Sequence, residues 1–230
     1  EPLLDGFDEL EERVRNEQAS LRGVIHISAP TGFGTSRLAP SLARFGAKHP
    51  NVELDLQFSD RRVSVVEEGI DLAIRIGPMR DSSLKIRQLG RMPMVVCAAP
   101  AYLERVGTPA HPRSLADHEC ILDSNMTEPT AWRFRINGKE EAMQVNGRFR
   151  MSAPAGSASI AAAGAAIARC PVYTVADALK LGELVELFTE YRVLPYVVAA
   201  LFPQNRHLTT RVRTLIDHLA SDPTLCSDGE

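Results

Sequence analysis

The chain has 230 residues, of which 44 % are hydrophobic and 24 % are charged, and its formal net charge is −3. These values are typical of a globular protein with a sizeable core, and they exclude a basic, nucleic-acid-binding character for the chain as a whole. No apolar run approaches the roughly 20 residues of a membrane span, and the acidic start does not resemble a signal peptide. The sequence therefore predicts a cytoplasmic protein with no membrane partner.

Residues 1–20 predict the end of a longer helix. Their apolar residues recur at coiled-coil spacing, at Leu3, Phe7, Leu10 and Val14. An amphipathic helix packed on its own domain has the same pattern, and that alternative stays open. We favour the coiled coil, because residues 15–20 then form a polar hinge, and we expect a further portion of the protein to precede the chain.

A strand, a turn and a helix follow. Residues 23–29 predict a strand covered on both faces, and residues 31–36 predict a polar turn. Pro40 requires the helix to begin close to Ser36 or Arg37, because proline is tolerated only in a first turn. Unpaired N–H groups at such a turn suit an anion or a polar ligand. The same turn occurs in α/β proteins that bind nothing there, so both interpretations stay open.

The next segments complete a βαβαβ unit with a parallel sheet. Strands are predicted at 51–58, 70–76, 84–89 and 94–98, with a short helix after Ser59 or Asp60. Ligands bind such sheets at the carboxyl ends of the strands, here at 30–34, 58–61 and 76–79. The chain is then expected to cross into a second subdomain near residues 98–101.

The second half has a less regular pattern. Asn137-Gly138 predicts a hairpin between 132–136 and 142–151, and Thr174 to Asp177 has the spacing of a capping box. A final helix is expected to bury Val212, Leu215, Ile216 and Leu219. The predicted domains are subdomain I (21–98 plus 195–220), subdomain II (99–194) and a frayed tail (221–230).

Motifs of common enzymes are missing from the sequence. It has no phosphate-binding loop, no dinucleotide fingerprint, no metal-spaced Cys/His cluster and no nucleophile elbow. We therefore expect no enzyme, no cofactor and no metal. The four cysteines are far apart, which favours free thiols in a reducing compartment, and His26 is expected to be a hydrogen-bonded core residue.

Several ordered segments resemble the effector-binding domain of LysR-type bacterial transcriptional regulators. The resemblance rests on LRGVIHISAPTGFGTSRLAPSLARFGAKHPNVELDLQFSD, VSVVEEGIDLAIRIG, DSSLKIRQLG, VVCAAPAYLERVGTPAHPRSLADHEC, VADALKLGELVELF and PQNRHLTTRVRTLIDHL, and it covers 21 to about 220. The SAP-x-x-FG and D-x-AIRIG forms are similar to the branch that includes CrgA-like regulators. The chain departs from the family at Gly164-Ala165-Ala166-Ile167 and Cys170-Pro171.

The resemblance implies an α/β fold of two Rossmann-like subdomains joined by two crossover strands, as in type 2 periplasmic binding proteins. It implies a homodimer or homotetramer that binds DNA only through an N-terminal winged helix-turn-helix absent from this chain. A periplasmic solute-binding protein of a transporter shares the fold and is the alternative.

The resemblance also implies that a small effector binds between the subdomains. We expect an organic acid or a polar aromatic molecule there. The candidate effector-binding residues lie at strand ends and turns facing the cleft: Thr31, Gly32, Phe33, Ile76, Gly77, Asp123, Ser124, Arg150, Ser152, Cys170 and Pro171.

Overall fold

The computed structural model describes residues 21–60, 69–77, 84–204 and 208–226. The predicted coiled-coil segment, the short helix after Asp60 and the end of the chain from 227 lie outside the described residues. So do residues 78 and 79 at the third predicted strand end.

The described residues form more strands than helices, and several strands follow one another without an intervening helix. The strands are β1 (Gly23–Ala29), β2 (Val52–Phe58), β3 (Leu72–Ile76), β4 (Leu84–Met92), β5 (Met94–Ala98), β6 (Glu119–Asp123), β7 (Ala131–Ile136), β8 (Lys139–Gln144), β9 (Asn146–Met151), β10 (Ala168–Pro171), β11 (Val185–Leu187), β12 (Arg192–Val193) and β13 (Tyr196–Pro203). The helices are α1 (Thr31–Phe33, continuing through a π-helical Gly34–Leu38 into Ala39–Lys48), α2 (Pro100–Val106), α3 (Pro154–Ala162), α4 (Val172–Lys180) and α5 (Thr210–Ser221). Two 3₁₀ turns span Pro112–Asp117 and Pro223–Leu225.

Five strands form the sheet of the first lobe, in the order β2-β1-β3-β13-β4. β1 pairs in parallel with β2 and β3, as predicted, whereas β13 is antiparallel to both of its neighbours. Ile27 and Ile74 face a core that α1 and α5 cover with Phe45 and other buried side chains. The four residues predicted to face inward on α5 are all buried.

The prediction of a turn over residues 31–36 is wrong, because α1 begins directly at Thr31. The glycines and hydroxyl residues that suggested a turn are accommodated inside the helix. Thr35 Oγ1 donates to Thr31 O at 2.9 Å, and Ser36 Oγ donates to Gly32 O at 2.6 Å. The helix widens to a π turn over Gly34–Leu38, immediately before Pro40. A wider turn there relieves the clash that a proline ring makes with the preceding turn of a regular helix.

The second lobe contains three small sheets, ordered β10-β5-β11, β12-β7-β8 and β6-β9. The hairpin prediction is confirmed, since Asn137 and Gly138 adopt φ values of 49° and 79° between β7 and β8. The strand predicted over 142–151 is instead two strands with different partners, β8 and β9. The capping-box prediction is wrong, because α4 already begins at Val172 and Thr174 lies inside it.

The chain passes between the lobes at two prolines. β4 belongs to the first sheet and β5 to the second lobe, so the first crossing is at Pro93 rather than near residues 98–101. The apolar run of β5 is buried whichever sheet it joins, so the sequence does not determine its partner. The return is at Leu194-Pro195, beside the first crossing, because Tyr196 pairs with Met92.

The segment after α5 is packed, although a frayed tail was expected from residue 221. Asp222 caps the 3₁₀ turn that follows, and Leu225 is 1 % exposed in the first-lobe core. The hydrophobic residues there are Leu225 and Cys226, and two such residues in a polar segment are too few to predict packing.

Candidate functional site

A cleft with a cavity volume of about 110 Å³ lies between the lobes. A single water needs only about 10–15 Å³, so the cleft has room for a small organic molecule. The first lobe contributes the ends of its strands and the second lobe faces them with strands, a loop and helix starts. The polar and aromatic lining residues are Ser59, Asp60, Arg75, Asp123, Asn125, Ser152, Ser157, Arg169, Tyr173 and Tyr196.

Arg169, on β10, brings a cation to the cleft between two aromatic rings. Its guanidinium carbon lies 5.3 Å from the ring centre of Trp132 and 5.2 Å from that of Tyr196. Its Nη2 also donates a hydrogen bond to Tyr196 Oη. Trp132 is only 1 % exposed, so the two rings hold the guanidinium in one place through cation–π attraction.

Arg75 brings a second cation to the cleft from β3. Its Nη1 donates to Ile74 O at 2.9 Å and its Nη2 to Ser28 Oγ at 3.2 Å. Ser28 is 2 % exposed, so this contact satisfies a buried hydroxyl of the sheet.

Two carboxylates face these cations. Asp60 Oδ1 accepts the N–H of Thr31 at 2.9 Å, and Asp123 Oδ1 accepts the N–H of Asn125 at 2.9 Å. Each carboxylate therefore uses one oxygen to fix a loop or a helix start. The cleft contains two groups of each sign, which suits a ligand that combines an anionic group with hydrogen-bonding groups.

Tyr173 provides an aromatic wall of the cleft at the start of α4. Burial raises the pKa of its phenol to about 12, so the hydroxyl stays protonated at neutral pH and can donate a hydrogen bond. Its ring packs edge-to-face on Phe33, with the ring centres 6.3 Å apart.

Four of the predicted site residues line the cleft: Ile76, Asp123, Ser152 and Pro171. Gly77 lines a second cavity of about 360 Å³ that adjoins the cleft. Their roles in binding stay predictions.

The other predicted residues lie outside the cleft lining. Phe33 and Cys170 are fully buried in the two cores, and Ser124 and Arg150 are exposed. Thr31 and Gly32 lie at the start of α1, where the Thr31 N–H is already bonded to Asp60. Strand alternation explains two of these placements, because Met151 and Pro171 point into the cleft while their neighbours Arg150 and Cys170 point elsewhere.

Sequence reasoning missed Arg75, Arg169, Tyr173 and Tyr196. A usable signal existed for the two arginines, since each interrupts an otherwise apolar strand, in LAIRI and ARCP. A charged residue in such a strand needs a partner or a ligand. No comparable local signal marks the two tyrosines.

The thiols of the second lobe are buried. Cys97, Cys120 and Cys170 are 0 % exposed and free. Burial raises the pKa of Cys120 to about 12, and a hydrogen bond with Cys97 together with burial raises the pKa of Cys170 well above its usual range. The thiols of Cys120 and Cys170 are therefore protonated at neutral pH. Cys97 lies in the apolar strand β5 and is a buried free thiol, as such a run predicts.

Comparison with known proteins identifies the family. The family model described as the LysR substrate binding domain matches residues 18–223. The chain belongs to the LysR substrate-binding-domain family. It is similar to an uncharacterized HTH-type transcriptional regulator of Haemophilus influenzae, with 34 % identity over 91 % of this chain and 73 % of the relative. It is also similar to the uncharacterized HTH-type regulator YhjC of Escherichia coli, with 30 % identity over 95 % of this chain and 74 % of the relative.

Solved structures of other LysR-type regulators have the same fold as this LysR-family chain. Full-length AphB of Vibrio cholerae is 25 % identical, with a TM-score of 0.71 over 95 % of this chain and 75 % of that one. The regulatory domain of CrgA of Neisseria meningitidis is 24 % identical, with a TM-score of 0.73 over 87 % of this chain and 98 % of that one, and shows the fold alone. The predicted fold class, two α/β subdomains of the type 2 periplasmic-binding-protein kind, is confirmed.

The chain is thus the effector-binding domain of a LysR-type transcriptional regulator, and the alternative of a transporter's solute-binding protein is not favoured. Its relatives are transcriptional regulators rather than enzymes. Regulators of this family bind small-molecule effectors, form oligomers and bind DNA through an N-terminal domain. Within the described ranges, no helix has the length and apolar character needed to cross a membrane.

Proposed function

We propose that the cleft binds a small organic acid or a polar aromatic molecule as effector, and that this binding controls a cytoplasmic, DNA-binding homodimer or homotetramer. The observation that carries the proposal is Arg169, held between Trp132 and Tyr196 at the edge of the cleft. An immobilised guanidinium loses little conformational freedom when it binds a carboxylate, so its hydrogen bonds contribute fully to affinity.

Aromatic and apolar walls support the same ligand class. Tyr173, Tyr196, Met94 and Ile121 surround the polar groups of the cleft. Small-molecule sites commonly combine such walls with a few polar groups that fix the orientation of the ligand. An acid with an aromatic or compact carbon skeleton uses both components.

The position of the cleft explains how binding reaches the rest of the regulator. Arg75 and Asp60 belong to the first lobe, whereas Asp123 and Arg169 belong to the second. A ligand that contacts both sets favours one arrangement of the lobes over another. A coupling of about 1–3 kcal/mol is typical of allosteric control and is sufficient here.

The test is a thermal-shift screen of the chain with benzoate, phenylacetate, succinate, citrate and phenol. A ligand present at about 100 times its Kd stabilises the folded state by about 2.7 kcal/mol, which raises the Tm of a chain of this size by about 5–10 °C. We expect at least one member to produce such a shift, together with a change in the emission of Trp132, the single tryptophan.

Ser152→Leu and Ser159→Leu form the matched pair for this screen. Ser152 lines the cleft, whereas Ser159 is an exposed residue of α3 outside the cleft lining. The shift is expected to disappear in Ser152→Leu and to persist in Ser159→Leu. A panel in which no compound raises the Tm, or a shift that survives Ser152→Leu, would contradict the proposal.

A further inference from the structure

The second cavity lies beside the crossing at Leu194-Pro195, and we refer to it as the hinge cavity. Its volume is about 360 Å³, and its apolar walls are formed by Met126, Ala131, Leu194, Pro195 and Val197. It shares Met126, Arg169 and Tyr196 with the effector cleft, but its other lining residues are its own. The hinge cavity is therefore a neighbour of the cleft with a more apolar character.

Arg169 gives the hinge cavity a fixed positive charge. A guanidinium has five N–H donors, and among the described residues the acceptor of an Arg169 hydrogen bond is Tyr196 Oη. Because Tyr196 accepts that bond, its own O–H is left to donate. Burial raises the pKa of this phenol, so the proton is retained at neutral pH. Two donors thus meet where the two cavities join.

Asp123 faces Arg169 from the side of the effector cleft, whereas the carboxylate at the rim of the hinge cavity is paired with another arginine. Glu128 lies at the rim, but its Oε2 is 3.3 Å from Arg133 Nη2, and Arg133 Nη1 is 3.4 Å from Glu140 Oε1. These pairs are more than 45 % exposed, so water screens them. Among the charged residues that line the hinge cavity, Glu128 and Arg133 are exposed, whereas Arg169 is partly buried beside the apolar walls.

We propose that the hinge cavity is a second binding site, which takes a monoanion with a compact apolar body, such as an aryl or short alkyl carboxylate or sulfonate. The anionic group lies against Arg169 and the Tyr196 hydroxyl, and the apolar body packs between Ala131, Leu194 and Val197. The guanidinium is already held by Trp132, so a ligand completes its hydrogen bonds without having to order it.

The proposal is tested with 1-anilinonaphthalene-8-sulfonate and its uncharged analogue N-phenyl-1-naphthylamine, added to the unaltered chain. Both probes become fluorescent in apolar surroundings, and they differ by the sulfonate. We expect saturable binding of the sulfonate, with energy transfer from Trp132, and at least tenfold weaker binding of the uncharged analogue. Equal binding of the two probes overturns the proposal, because Arg169 then has no role.

Variants locate the probe. Ala131→Phe fills the hinge cavity, and Ala142→Phe makes the same change at an exposed position of the same hairpin. We expect at least tenfold weaker binding in Ala131→Phe and in Arg169→Gln, and unchanged binding in Ala142→Phe. Circular dichroism and the Tm establish that each variant is folded. If Ala131→Phe does not fold, weaker binding in Arg169→Gln together with unchanged binding in Ser152→Leu supports the hinge cavity, because Arg169 lines both cavities and Ser152 lines only the cleft.

Ser152→Leu separates this site from the effector cleft. We expect it to leave binding of the sulfonate unchanged, because Ser152 lines only the cleft. Loss of binding in Ser152→Leu, or undiminished binding in Ala131→Phe, assigns the probe to another place and overturns the proposal. Neither result affects the screen of acids in the cleft, which has its own outcome.

Discussion

Asp222 is the most densely hydrogen-bonded carboxylate of the described residues. Its Oδ2 accepts from Ser41 and Arg44 on α1, and its Oδ1 accepts from the Thr224 N–H at 3.0 Å and the Thr224 hydroxyl at 2.7 Å. Burial alone raises the pKa of this carboxyl, but the hydrogen bonds from Ser41, Thr224 and Arg44 outweigh it and hold the pKa far below its usual range. The side chain is 6 % exposed, so these bonds are little weakened by solvent.

We therefore expect Asp222→Asn to lower the free energy of unfolding by about 2 kcal/mol at neutral pH, because charge-assisted hydrogen bonds are lost. A lowered folded-state pKa stabilises the protein above the unfolded-state value of about 3.9, and this stabilisation is lost as the pH falls through the folded-state pKa. The difference between the wild type and the variant is thus constant from pH 8 to about 5 and shrinks below about 4. Urea unfolding at each pH, followed by circular dichroism, measures this difference in the free energy of unfolding.

Asp217→Asn is the matched control for this change. Asp217 also pairs with an arginine, Arg87, but it is 55 % exposed, so its removal is expected to cost less than about 1 kcal/mol. Equal losses in the two variants, or a loss at Asp222 that does not shrink in acid, contradict the role given to Asp222.

At the level of elements, helix α1 packs against strand β2 at a glycine. A Cβ added to Gly34 would lie 2.7 Å from Phe58 Cδ1, closer than carbon atoms approach in folded proteins. Gly34 also lies in the π-helical part of α1, where the helix is already widened ahead of Pro40. The close contact of the two elements therefore depends on the missing side chain.

We expect Gly34→Ala to destabilise the chain by about 1–3 kcal/mol, because overpacking forces the ring or the helix to move. Gly46→Ala provides the matched control in the same helix, since no atom lies within 4 Å of its added Cβ. That change is expected to stabilise the chain by about 0.5–1 kcal/mol, the ordinary preference for alanine in a helix. Thermal and urea unfolding of both variants measure whether the free energy of unfolding falls or rises. A neutral or stabilising Gly34→Ala contradicts the close contact between Gly34 and Phe58.

The sequence correctly predicts those elements whose conformation depends on residues close to one another in the chain. The Asn137-Gly138 turn and the inward face of α5 depend on local backbone preference and helical spacing. The start of α1 was missed because the glycines and hydroxyl residues of a turn also fit a helix when their side chains bond to the preceding carbonyls. The candidate site depends on distant contacts, such as Arg169 with Trp132 and Tyr196, and a single sequence does not reveal them.

At the level of the whole molecule, the four cysteines lie in different lobes, so the reactivity of each thiol shows whether the core of its own lobe is folded. Cys97, Cys120 and Cys170 are buried in the cores of the second lobe, whereas Cys226 packs against the core of the first. A thiol reacts as its thiolate, so burial and a raised pKa suppress labelling until the surrounding core opens.

We expect native protein to react with Ellman's reagent at no more than one thiol, and only slowly, since burial also raises the pKa of Cys226. In increasing urea, Cys97, Cys120 and Cys170 become reactive together, at a concentration different from that for Cys226, because the lobes have separate cores. Pulsed labelling with mass spectrometry identifies each site. A single midpoint for all four thiols contradicts independent lobes.

Strand β13 lies between β3 and β4 in the first sheet, although nearly the whole second lobe precedes it in the chain. During synthesis, β3 and β4 therefore leave the ribosome without the strand that joins them, and their unpaired edges are a hazard for aggregation. The second lobe, from β5 to β12, is continuous in the chain and is complete first. The second lobe can therefore complete its sheets while the first sheet still lacks its fourth strand, and the facing edges of β3 and β4 stay unpaired until residues 196–203 have emerged.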